Sequence, residues 1–105
     1  MSKRLLKEKP FLELLLTTDK SQAKALMETI TLNQVEVIVE ILTNLQRLNV
    51  PQKTRALLQK RKRVLTSLTN TRTKLSTKLR IIRRHFRQVI DTLHSVKRRL
   101  LELLK

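Results

Sequence analysis

Apolar residues recur at steps of three and four along most of this chain, which is the period of one helix face and predicts an all-α fold. The strongest run is C-terminal. Leu75, Leu79, Ile82, Phe86, Val89, Leu93, Val96, Leu100 and Leu103 alternate steps of four and three without a miss. Written as heptads, Leu79, Phe86, Leu93 and Leu100 take the a positions and the other five take d. The pattern predicts one long, basic C-terminal helix with a coiled-coil seam. Its flanking e and g positions include Lys78, Arg83, His85, Lys97 and Arg99 and no acid, so a parallel homodimer would set like charges face to face. The seam is expected to pack on other helices of the same chain, to pair antiparallel, or to pair when a polyanion is present.

Ahead of it the pattern comes in shorter pieces. Lys3 to Leu16 reads as helix interrupted at Pro10, which suits a first turn but not an interior. Phe11, Leu14 and Leu15 are its expected buried side. Asp19 with Gln22, and Thr31 with Gln34, are capping-box pairs. The first opens a helix over about 20–29, with Ala23, Leu26, Met27 and Ile30 on one face. The second opens a helix carrying Val35, Ile38, Leu42 and Leu45, with Val39 beside them and Glu36, Glu40 and Arg47 opposite. It is expected to end near Leu48, because Asn49, Val50 and Pro51 follow and the residue before a proline is driven from helical angles.

Pro51 to Leu68 is the next predicted helix, with Leu57, Leu58, Val64, Leu65 and Leu68 on one stripe. Arg61 falls inside that stripe. Either it snorkels to water, or the stripe meets its partner only at its ends. Thr69, Asn70 and Thr71 are the expected bend before the last helix.

Charge adds a division that hydropathy does not show. Residues 1–50 hold seven Lys and Arg against six acids, whereas residues 51–105 hold seventeen against Asp91 and Glu102. Nearly all of the net +16 therefore lies behind Pro51. At 105 residues the chain is expected to form a single helical domain, with 1–50 as a near-neutral base and 51–105 as a basic, nucleic-acid-binding half. Lys and Arg neutralise phosphates and release condensed counterions, a favourable term that needs no sequence-specific geometry. The leading candidates for phosphate contact are Lys53, Arg55, Lys60, Arg61, Lys62 and Arg63. Arg72, Lys74, Lys78, Arg80, Arg83, Arg84 and Arg87 follow. The run Lys60–Arg63 also has the form of a nuclear-localisation cluster.

Other chemistries find little support. The chain has no Gly, hence no Gly-rich phosphate-cradling loop. It has no Trp or Tyr and only Phe11 and Phe86, so it offers almost no platform for stacking single-stranded bases. Single strands are thus disfavoured; duplex DNA is the favoured partner, with RNA as the rival within the same class. The absence of Cys removes thiolate metal sites and disulfides and fits a reducing compartment. His85 and His94 stand nine residues apart on one predicted helix, on opposite faces, and cannot share a metal. Glu36 and Glu40 are one turn apart but read as a solvated or internally paired acidic face rather than a catalytic pair. The hydroxyl-rich stretch 66–77 has no base in sequence reach. No cofactor, no metal and no catalytic residue is expected, and the protein reads as a non-enzyme. No apolar run approaches the roughly 20 residues of a membrane span.

The order of motifs resembles the small basic proteins, taken to be virion core proteins, of Polinton and adintovirus-like DNA elements. The matching pieces are KRLLKEKPFLELL near the start, the helix around Ala25 and Leu26, TLNQVEVIVEILTNL, and VP followed by QKTRALLQKRKRVLTSL. Together they cover about residues 3–70. The chain is shortened between Val50 and Gln52 relative to that family, and the basic heptad helix stands where a Gly-Gly-containing apolar tail belongs. The resemblance implies genome binding or condensation inside a particle, a virion and host-nuclear location, and a capsid protein as a further partner. Without it, the nucleus or another reducing intracellular compartment is the expected place. The rival expectation is a structural protein whose heptad helix, alone or as an oligomer, joins an acidic helical partner. A basic amphipathic helix also suits an anionic lipid surface, but the apolar stripe is needed for the core and no Trp is present.

Overall fold

The computed structural model describes residues 3–47 and 50–103. The expected stop at Leu48 and Asn49 falls outside the described residues, as does the side chain of Leu103 at the end of the seam. The described residues form α1 (Lys3–Lys7), α2 (Lys9–Thr17), α3 (Lys20–Glu28), α4 (Leu32–Leu45), α5 (Gln52–Lys60), α6 (Lys62–Thr69), α7 (Leu75–Arg84), α8 (Phe86–His94) and α9 (Lys97–Leu103), with no strand among them.

The local signals act where the sequence puts them. Pro10 lies in the first turn of α2. The Asp19 carboxylate accepts the Gln22 amide at 2.8 Å and starts α3. At α4 both halves of the capping box form: the Thr31 hydroxyl accepts the Gln34 amide (3.2 Å), and the Gln34 side chain accepts the Thr31 amide (3.0 Å). Between α6 and α7 the turn is made by Asn70, whose side-chain oxygen accepts the Arg72 amide at 2.9 Å. That self-made turn replaces the missing Gly or Pro.

Helix α4 lies at the centre. Val35, Val37, Ile38, Ile41, Leu42 and Leu45 are all buried, because α6 and α7 both pack on it. Helices α2 and α3 pack on α8, and one apolar cluster runs from Leu12 through Met27, Ile38 and Leu68 to Leu93. The near-neutral and basic halves thus share a core. A Cα radius of gyration of 12.6 Å is close to the roughly 13 Å of a compact domain this long.

Two expected helices are not continuous. The stretch Pro51–Leu68 is α5 and α6, broken at Arg61 (φ −99°, ψ 12°). The long C-terminal helix is α7, α8 and α9, broken at His85 (φ −117°, ψ 32°) and at Ser95–Val96. At His85 the carbonyl accepts both the Gln88 (3.0 Å) and Val89 (3.2 Å) amides, so the axis bends without unravelling. No Pro or Gly causes these bends. The path of the core does: α7 follows α4 and α3, whereas α8 follows α3 and α2.

The seam packs on the chain's own helices, with Leu75, Leu79, Phe86 and Leu100 only partly covered, and the covered face is wider than a and d. Ile82, Val89, Leu93 and Val96 are buried, but so are Ile90 at e and Lys78 and Thr92 at g. Thr92 is tolerated because its hydroxyl donates to the Gln88 carbonyl at 2.7 Å. In α2 the buried side is Leu12, Leu15 and Leu16; Phe11 is only partly covered and Leu14 is exposed, contrary to expectation.

Candidate nucleic-acid interface

The basic candidates fall on three linked pieces of surface. Lys53, Arg55 and Lys60 lie on α5, with Lys62 and Arg63 opening α6. Arg72 and Lys74 lie on the α6–α7 turn. Lys78, Arg80, Arg83 and Arg84 are on α7, and Arg87 is on α8. The short connection 70–74 joins α6 to α7, which pack on each other and on α4.

All of the candidates are exposed except Arg61, which is half-buried, and Lys78, which is buried. Lys78 faces the core side of α7 with its stem covered, as a g position does in a broad buried face. Arg61 turns inward from the bend it occupies: its Nη2 lies 3.9 Å from Asp91 Oδ2 on α8. Arg83 is exposed but already engaged. Its Nε donates to the Met27 carbonyl and its Nη2 to the Glu28 carbonyl, each at 3.1 Å. It caps the C-terminal end of α3, where unsatisfied carbonyls and the helix dipole favour a cation. Arg87 lies over the Phe86 ring, 5.9 Å from its centroid.

The outermost line on the C-terminal helices is Arg80, Arg84 and Arg87, at steps of four and three on the side away from the seam. Continued at the same steps it reaches Asp91, His94 and Arg98. Helix α5 lies against this line, since Lys53 and Lys60 share a surface depression with His94. A second depression joins Pro51 to Arg98 and Arg99. Exposed Lys97, Arg98 and Arg99 therefore extend the basic surface past the thirteen candidates. Their signal in the sequence is the basic triplet itself, of which Lys97 and Arg99 also flank the seam.

The two histidines have structural positions. His85 occupies the α7–α8 bend, and His94 Nε2 donates to the Leu15 carbonyl at 3.0 Å, tying α8 to α2. The six acids of the first half lie on α1–α4 or at their junctions, and Glu36 pairs with Arg4 at 3.4 Å. Charge of both signs is thus mixed on α1–α4, and the excess of positive charge is carried by α5–α9 of the same globule. Among the described residues no helix is long and apolar enough to cross a membrane. No protein-family model, curated protein or solved structure matches the chain.

Proposed function

We propose that this is a non-enzymatic protein that binds duplex DNA through its phosphates, with little regard to sequence. The observation that carries the reading is the exposed basic surface of α5–α9, drawn from seventeen Lys and Arg in a segment with two acids. A merely solvated charged face would mix signs. Here one sign covers several adjoining elements, as binding to a phosphate backbone requires.

The apolar seam supports this reading over the rival one. A helix that joined an acidic partner through its a and d positions would need them free, and Ile82, Val89, Leu93 and Val96 are buried in the chain's own core. The resemblance of residues 3–70 to virion core proteins supplies a setting: compaction of a DNA genome within a particle that matures in a nucleus. The scarcity of aromatic side chains favours duplex over single strands.

The test is a gel shift with two scrambled DNA duplexes, a single strand and a duplex RNA at one salt concentration. The reading expects equal affinity for both scrambled duplexes and weaker binding to the single strand. Strong discrimination between the duplexes would refute it.

A further inference from the structure

The row Arg80, Arg84, Arg87, Asp91, His94, Arg98, at steps of four and three opposite the seam, holds one acid, and Asp91 and His94 are its half-buried members. Asp91 is also one of only two acids behind Pro51. It stands where α5 crosses α8, directly under the second member of the basic run Lys60–Arg63. Lys60, Lys62 and Arg63 point outward and are exposed. Arg61 does not: its side chain is 23% exposed, its Nη2 is 3.9 Å from Asp91 Oδ2, and its Nε is buried with no hydrogen-bond partner among the described residues. A contact of 3.9 Å is an ion pair beyond hydrogen-bond length. The guanidinium is held by charge, with donor capacity left unused.

We infer that Asp91 is an internal competitor for phosphate, which keeps Arg61 out of the DNA contacts and sets the affinity of the basic surface below what its charge would allow. The inference rests on the proposed phosphate-binding reading and concerns regulation of that same surface. Carboxylate and phosphate offer an arginine fork the same planar pairing of oxygens. While the carboxylate holds the guanidinium by charge, Arg61 contributes no counterion release. Without it, the guanidinium reaches out from a helix bend already flanked by Lys60 and Lys62, where a phosphate bound to either neighbour comes within its reach. Arg83 is also tied within the fold, but to backbone carbonyls that a side-chain substitution cannot remove. Arg61 is tied by a side chain, which a substitution can remove.

The experiment is the salt dependence of duplex binding for wild type, Asp91→Asn, Arg61→Gln and the double variant, each checked for helical circular dichroism. Asp91→Asn should bind more tightly, with a slope of log affinity against log salt steeper by up to about 0.9, the value of one added phosphate contact. Arg61→Gln should leave the wild-type slope unchanged. The double variant should return to the wild-type slope, since the gain belongs to Arg61. A gain that survives in the double variant, or no gain in Asp91→Asn, overturns the inference. Titration of wild type with duplex, followed by arginine Nε–H resonances, tests the same point without any variant. The Arg61 resonance should stay in place while those of Arg63 and Arg84 move; an Arg61 shift that saturates with theirs overturns the inference. Binding of wild type that does not depend on salt would instead refute the phosphate reading itself.

Discussion

Arg83 separates structure from binding more sharply than any other basic residue. Its guanidinium donates twice to the end of α3, to the Met27 and Glu28 carbonyls at 3.1 Å each. Hydrogen bonds from a charged donor contribute about 1.5–3 kcal/mol when shielded. Only the bond to Met27 is partly buried, and the one to Glu28 is in solvent, so the pair together contributes about 2 kcal/mol. For a domain of this size each kcal/mol moves Tm by about 4–8 °C. Arg83→Gln should therefore lower Tm by about 8–16 °C. Arg83→Lys keeps the cation near the helix end, a term of about 0.3–1 kcal/mol, but loses the fork, and should fall between. The assay is thermal unfolding by circular dichroism, run beside DNA binding at several salt concentrations. Arg84→Gln is the control: exposed and one residue on, it should leave Tm nearly unchanged and reduce the salt slope. If Arg83→Gln leaves Tm within about 2 °C of wild type while reducing the slope as Arg84→Gln does, Arg83 is a phosphate contact and the capping argument is wrong.

Val89 is fully buried in α8, so Val89→Asp should place an unpaired carboxylate in the core. That costs several kcal/mol against a total stability of about 5–15 kcal/mol, and cooperative unfolding should be lost; an unchanged melting curve would show that the seam does not build the core. Lys60, Lys62 and Arg63 changed together to Gln, with Arg61 kept, should weaken binding equally on every duplex and reduce the salt slope by up to about 2.7. Wild-type binding by that variant would move the contacts to the Arg80–Arg87 line. Asp19 accepts from the Gln22 amide and the Ser21 hydroxyl, which hold its carboxyl below the ordinary value of 3.8. Its share of stability is then fully present above 3.8 and lost as pH falls through the lower folded-state value. Asp19→Asn keeps a capping oxygen and should flatten the part of a Tm series below pH 3.8; an unchanged series would show that the cap carries no such linkage.

Features that depend on neighbours in sequence were legible before the fold was known. The Asp19 and Thr31 caps are short-range hydrogen bonds and form as read. The face of α3 also follows, since Ala23, Met27 and Ile30 are buried as read, whereas in α4 Val35, Ile38, Leu42 and Leu45 are joined in the core by Val37 and Ile41, which lie outside the stripe that spacing picked out. In α2 the apolar residues Phe11, Leu12, Leu14, Leu15 and Leu16 surround most of the helix, so spacing could not choose between Leu14 and Leu12. The bends at Arg61 and His85 carry no Gly or Pro and arise from which helices α6 and α8 must follow. Arg61 was visible as a misfit in its stripe, but its partner lies thirty residues on, across a helix crossing. The carbonyls capped by Arg83 are 55 and 56 residues away. No local pattern encodes a contact of that kind, so a basic residue tied within the fold and one open to phosphate look alike in the sequence.

Phosphate binding by the exposed cations of α5–α9, as proposed, is decided by affinity for a duplex of random sequence between about 50 and 200 mM salt. If about 6–10 phosphates are neutralised, affinity should fall roughly 10³–10⁵-fold across that range. An affinity that holds nearly constant over the same range would contradict the account.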